Sequence, residues 1–348
     1  MSFEPNASNL RRAVLRQRPE RVPLYDHVID IGIMERVVGA PILSLLQGDA
    51  ADRVRGFANM ADFHVAMGYD ALSFEGCVGG LLPGGGGLLN ERHESTIRTM
   101  DDLQRYPWEE IPERYFLRFD DDFAALEKAL PPGMGVVGGV GNGILECAQE
   151  LTGYVGLCLM RYDDPELFVA LLERCARLLG DIWERFLPRW GHLLTICRTG
   201  DDMGFKNATL LAPQDLIDHV APGYRRISAL AHAHDKPFLL HSCGCIFPVM
   251  DALIDAGIDA KHSNEDVIAP LSLWLERYGQ RIAIFGGIDV DLLTRGSADD
   301  IRRVSAELFT EGSRYPGFAF GTGNSVPSYI PLDNYVLMNE TVRKLRGE

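Results

Sequence analysis

Residues 215–245 read Asp215-Leu-Ile-Asp-His-Val-Ala-Pro-Gly-Tyr-Arg-Arg-Ile-Ser-Ala-Leu-Ala-His-Ala-His234-Asp-Lys-Pro237-Phe-Leu-Leu-His241-Ser-Cys243-Gly-Cys245. Leu216, Val220, Ile227 and Leu230 recur near the helical period, so the first part reads as an amphipathic helix that Pro222 bends or breaks. His232 and His234 fall at its C-terminal end, where the helix dipole accounts for them more simply than a metal does. Phe238-Leu-Leu is too short and too apolar for a surface helix, and reads as a buried strand. The strand runs directly into an imidazole and two thiols.

The same unit repeats along the chain. Eight short apolar runs each precede an amphipathic segment: Val22-Pro-Leu-Tyr-Asp-His27, Ala71-Leu-Ser-Phe-Glu75, Gly135-Val-Val-Gly-Gly-Val140, Leu193-Leu-Thr-Ile-Cys-Arg198, Pro237-Phe-Leu-Leu-His241, Asp259-Ala-Lys-His-Ser263, Ile282-Ala-Ile-Phe-Gly-Gly287 and Gly317-Phe-Ala-Phe-Gly321. Eight βα units predict a (β/α)₈ TIM barrel, an α/β fold whose chemistry sits at the C-terminal ends of its strands. No Pro/Ser-rich linker interrupts the composition, so residues 1–348 read as a single domain.

A net charge of -15, with 46% hydrophobic and 24% charged residues, describes a globular chain. It disfavours nucleic acid and anionic membranes as partners, because both need clustered Lys and Arg. The start, Met1-Ser-Phe-Glu-Pro-Asn6, has no basic-then-apolar pattern, and no run approaches eighteen apolar residues, so the expected location is cytoplasmic. Of the seven cysteines, Cys77, Cys147, Cys158, Cys175 and Cys197 sit in mostly apolar segments and read as small packing residues.

The strand ends hold the candidate chemistry. His241, Cys243 and Cys245 are soft ligands that suit zinc, with Gly244 making the reach of Cys245 awkward. Satisfied barrel-end packing is the competing account. Because no paired Cys/His half-sites occur, a zinc here would be catalytic, with ligands gathered from several strands. Asp201 and Asp202, in Gly200-Asp-Asp-Met-Gly204, read as acid/base groups, a metal ligand or an orienter of His241, against a turn that favours Asp for backbone reasons. Glu146 and Glu150 share one helix face, and Glu146 lies nearer the barrel mouth. Gly84-Gly-Gly-Gly87 lacks the Lys-Ser/Thr of a phosphate loop and reads as a flexible loop over the mouth; Gly139-Val-Gly-Asn-Gly143 misses the dinucleotide spacing.

Arg21-Val-Pro23, Gly200-Asp-Asp-Met-Gly204, Leu211-Ala-Pro213, His241-Ser-Cys-Gly244, Phe285-Gly-Gly-Ile-Asp289 and Gly321-Thr-Gly-Asn324 together resemble the uroporphyrinogen decarboxylase superfamily over essentially the whole chain. The resemblance implies a (β/α)₈ barrel and either a decarboxylase or a zinc-dependent methyltransferase that exchanges methyl groups with a corrinoid protein. The decarboxylase's opening Arg-Gln-Ala-Gly-Arg has no counterpart among Arg11, Arg12, Arg16, Arg18 and Arg21. His241-x-Cys243 is similar to the methyltransferase branch, in which these two residues bind zinc with a distant cysteine. Thr322 stands at that cysteine's position, and a hydroxyl is a poor substitute for a thiolate. Either Glu146 or Asp202 completes the set, or Cys245 does by bending its loop; the carboxylate asks less of the backbone.

The leading expectation is therefore a zinc-dependent methyltransferase acting between a corrinoid protein and a small-molecule methyl donor or acceptor, with metal ligands His241, Cys243, Glu146 and Cys245 and catalytic Asp202, Asp201 and Asn324. A metal-free decarboxylase using Asp201 or Asp202, and a non-catalytic barrel that binds a corrinoid or another large ligand, are the alternatives.

Overall fold

The computed structural model describes residues 3–90 and 92–348. Seven parallel strands, β1 (Ala71–Cys77), β2 (Gly135–Gly141), β3 (Leu194–Gly200), β4 (Phe238–His241), β5 (Ala260–His262), β6 (Ala283–Phe285) and β7 (Phe318–Ala319), pair in chain order. Each crossover carries helix, among them Ile111–Ala129, Pro165–Trp190 and Ala221–Ala233. Consecutive neighbours joined by helical crossovers bring all the strand C-termini to one end.

The eighth expected run differs. Residues 22–27 make a single bridge, Leu24 to Phe320, in which Tyr25 N donates to Phe320 O at 2.8 Å and Phe320 N to Pro23 O at 2.9 Å. Pro23 has no N–H to extend the ladder, which keeps the segment short of a regular strand. Toward β1 its contact is a side chain: Ser73 Oγ donates to Asp26 O at 2.9 Å.

Residues 213–233 form one bent helical run, with a π turn over Leu216–Val220 preceding Ala221–Ala233. Pro222 bends the run without breaking it, since it occupies the first turn of the second helix, where its missing donor costs nothing. His232 Nε2 lies 2.7 Å from Asp259 Oδ2, which raises the imidazole's pKa, and the same carboxylate accepts Phe238 N at 2.7 Å. This histidine ties the helix end to the start of β4.

A compact apolar cluster draws on every strand, with Ala71, Val137, Ile196, Leu239, Ala260, Ala283, Phe285 and Ala319, and adds Leu10 and Val14 from helix Ala7–Val14. That helix and the residues after it are fastened by arginines. Arg11 pairs with Asp235 at 2.9 Å and Arg21 with Asp70, while Arg16 and Arg18 reach the carbonyls of Gln280 and Ser313. All four acceptors precede strands, so the arginines hold the end opposite the strand C-termini. Among the described residues, no helix is long and apolar enough to cross a membrane.

Candidate metal centre

The segments after β3 and β4 touch backbone to backbone. Gly200 pairs with His241 in the ladder, and Asp201 N donates to His241 O at 2.9 Å. Past the strand ends, Gly204 N donates to Cys243 O at 3.2 Å and Cys245 N to Phe205 O at 2.6 Å. Gly244 has φ +83°, and a Cβ there would stand 2.1 Å from the Gly204 carbonyl carbon. Only glycine permits both the left-handed turn and this approach. The contact delivers Asp202 to the second loop, where its Oδ1 accepts Cys243 N at 2.9 Å.

His241, Cys243 and Asp202 converge as a result, with their donor atoms all within 4.8 Å of one another. His241 Nε2 is 3.4 Å from Cys243 Sγ and 3.8 Å from Asp202 Oδ1. Nitrogen and sulfur bound tetrahedrally to zinc stand about 3.6 Å apart, so the first pair fits as it is and the carboxylate needs only a small inward adjustment. His241 is buried, whereas the Asp202 side chain is 43% exposed, which leaves one side of the cluster open. Asn324 Nδ2 lies 3.4 Å from Cys243 Sγ and donates to Glu265 Oε1 at 3.0 Å. Burial, reinforced by the charge of Asp202, pushes the Cys243 thiol up. A bound cation acts in the opposite sense and favours the thiolate.

A second convergence lies beneath the first. His27, His241 and His262 also bring ring nitrogens together. Here the facing nitrogens of His241 and His262 are occupied by hydrogen bonds, His241 Nδ1 being 2.7 Å from His262 Nδ1 and His262 Nε2 3.0 Å from Thr322 O, whereas His27 Nδ1 is buried without a partner. Burial, with the charges of Arg198 and Lys261 nearby, lowers the pKa of His241 and of His262, the latter to about 3, so both rings are neutral. His27 stacks flat on His241, 3.6 Å between centroids and 8° between planes. Its carbonyl accepts Arg198 Nη1 at 2.7 Å, and Arg198 is itself paired with Glu75 at 2.8 Å.

The other expected residues lie elsewhere. Asp201 is fully buried and accepts Leu145 N at 3.1 Å, Glu146 N at 2.9 Å and Tyr224 Oη at 2.6 Å, so its carboxylate caps helix Ile144–Thr152 and does not face the cluster. Burial raises its pKa to about 6. Glu146 is outside the ligand cluster: its Oε1 accepts Asp202 N at 3.3 Å and its Oε2 accepts Asn142 Nδ2 at 2.8 Å, and burial with the charge of Asp201 raises it to about 8. Cys245 is outside it too, because the turn at Gly244 commits its backbone to Phe205. Thr322 turns away from Cys243; its N and Oγ1 donate to Asp26 Oδ1 at 2.8 and 2.6 Å. Glu150 holds the glycine loop, accepting Gly86 N at 2.6 Å. Sequence reasoning passed over His27 and His262 as site residues, although both are polar residues at strand ends.

A nitrogen and sulfur pair with a carboxylate, set at the strand C-termini of a parallel α/β fold, makes this a barrel-like protein with a candidate metal centre. The chain belongs to the uroporphyrinogen decarboxylase (URO-D) family, which it matches over residues 92–345. Among solved structures it is similar to a methyltransferase from Methanosarcina mazei, with a TM-score of 0.73 and 17% identity over 98% of this chain and 99% of that one. At that identity the likeness is one of fold. Endo-glycoceramidase II from Rhodococcus sp. is more distant, with a TM-score of 0.42 and 13% identity over 98% of this chain and 80% of that one. Ochratoxinase from A. niger follows at 0.36 and 12%, over 92% and 71%. No curated protein matches the chain.

Proposed function

We propose that the chain is a zinc-dependent methyltransferase of the cytosol that moves a methyl group between a corrinoid protein and a small methylated compound or thiol. The carrying observation is the convergence of His241 Nε2, Cys243 Sγ and Asp202 Oδ1 with one side open. A catalytic zinc takes three protein ligands and keeps a position free, and a carboxylate in place of a second thiolate makes the set a harder N/S/O one. When bound, zinc supplies Lewis acidity toward a thiol, ether or amine. The residues of the chain do the rest: the Cys243 amide orients Asp202, and the Asn324 amide faces the Cys243 sulfur.

Three further features favour this reading. Exposed Phe205 and Val267, in the loops just after β3 and β5, offer apolar surface near the strand ends for a macromolecular partner such as the corrinoid protein. On this reading residues 22–27 serve as the eighth member of a (β/α)₈ barrel, which the bridge to Phe320 and the inner cluster drawn from every strand support. Arg11, Arg16, Arg18 and Arg21 are engaged at the far end, away from any acidic tetrapyrrole at the mouth. That placement, with Asp201 committed to a helix cap, weighs against the metal-free decarboxylase.

Zinc content of the purified protein tests the proposal. Wild type and Cys245→Ser hold one zinc per chain, His241→Ala and Cys243→Ser lose it, and Asp202→Asn binds it more weakly. A folded, zinc-free wild type overturns the mechanism. A screen of methyl donors with a corrinoid protein then separates turnover from mere binding of the corrinoid.

A further inference from the structure

We infer that His262, which does not itself reach the cluster, is the positioning residue that sets the tautomer of His241, with Thr322 as the anchor that fixes His262. The inference rests on the proposed metal site, because its consequence is the lone pair that His241 offers there.

The hydrogen bonds leave one assignment. His262 Nε2 faces the carbonyl oxygen of Thr322 at 3.0 Å and must carry the proton, since a bare nitrogen would set two lone pairs against each other. Its Nδ1 is then bare and accepts from His241 Nδ1–H across 2.7 Å. His241 Nε2 is left without a proton and points at Cys243 Sγ, 3.4 Å away. Which ring nitrogen of a histidine ligates is decided by the hydrogen bond that the other one makes. The stacked ring of His27, 3.6 Å away and nearly parallel, restricts His241 from tilting out of this line.

The chain of control continues behind His262. The Thr322 carbonyl can receive His262 because the residue is held from its other side, N and Oγ1 both donating to Asp26 Oδ1. Tyr335 Oη donates to the same carboxylate at 2.9 Å, and Tyr69 Oη does so as well. Thr322, His262 and Asp26 are all buried, so no water substitutes for these partners.

Histidine ¹⁵N–¹H correlation spectra of the chelator-treated protein read the tautomer without any metal or turnover. In wild type His241 appears as the Nδ1–H form; finding it as Nε2–H overturns the inference even if every variant fails to fold. His262→Ala shifts His241 toward Nε2–H and weakens zinc binding, read by chelator competition, about 10- to 100-fold, the range for loss of such a partner. His262→Gln accepts through Oε1 and donates through its amide, so it keeps the wild-type tautomer and binds zinc within a few-fold of wild type. His262→Ala with unchanged tautomer and affinity, or His262→Gln as weak as His262→Ala while equally well folded, overturns it. Wild type that binds no zinc but shows the Nδ1–H form defeats the metal reading and leaves the tautomer assignment standing.

Discussion

Glu75→Ala should destabilise the protein more than its position near the mouth suggests. Arg198 is 1% exposed and Glu75 13%, and Arg198 Nε and Nη2 reach Glu75 Oε2 at 3.0 and 2.8 Å. The remaining nitrogen, Nη1, meets neutral acceptors: His27 O at 2.7 Å, Ser73 Oγ at 3.2 Å and Tyr25 Oη at 3.4 Å. Burial opposes the charge on Arg198, and Glu75 outweighs that opposition, holding the guanidinium ionised. Removing the carboxylate strands a buried cation, a loss of about 3–5 kcal/mol. With an unfolding entropy of about 2.1 cal/mol/K per residue, 348 residues give about 0.7 kcal/mol per degree, so Tm falls by about 4–7 °C. The double variant Glu75→Leu/Arg198→Met removes both charges and should recover most of the loss. Thermal and urea unfolding of the three proteins measure this. A single variant within about 1 kcal/mol of wild type, or a double variant less stable than the single, refutes the reasoning.

Two other perturbations address neighbouring groups. The Glu146 carboxyl lies at 4.5 when unperturbed and about 8 in the fold. Between those values the unfolded chain has released a proton that the native state retains, so stability falls as pH rises. Glu146→Gln should make that decline shallower, with the contribution of Asp201 persisting below about pH 6, as unfolding midpoints at about pH 5 and 8 will show; an unchanged slope removes Glu146 from the account. Thr322→Cys should gain no zinc affinity, because the side chain faces Asp26, and should lose about 1–3 kcal/mol as that carboxylate gives up a hydroxyl. A tenfold tighter zinc complex in chelator competition would show that position 322 does reach the cluster.

The strands were legible wherever apolar runs stop at a polar residue. Phe238–His241 was found to its last residue, and the two-residue step to Cys243 came with it. Residues 22–27 read as well as the others, yet Pro23 left them one bridge where a ladder was expected. Adjacent Asp201 and Asp202 could not be told apart along the chain. In space they point to opposite sides, one to the amides that open helix Ile144–Thr152 and the other to Cys243. His262 and Thr322 were harder still, since His262 meets His241 across 21 residues and Thr322 meets His262 across 60. Local spacing holds no trace of such partners; only the closing of strand ends around one axis reveals them.

The four arginines at the far end carry a consequence for inheritance. Arg11, Arg16, Arg18 and Arg21 anchor the chain to the turns that precede β4, β6, β7 and β1, while the cluster hangs from the C-terminal end of β4 and the loops beyond β3 and β4. These anchors and the candidate chemistry are therefore encoded at opposite poles of the same strands. A lineage with this division can trade one loop for another, and one substrate for another, without renegotiating those anchors.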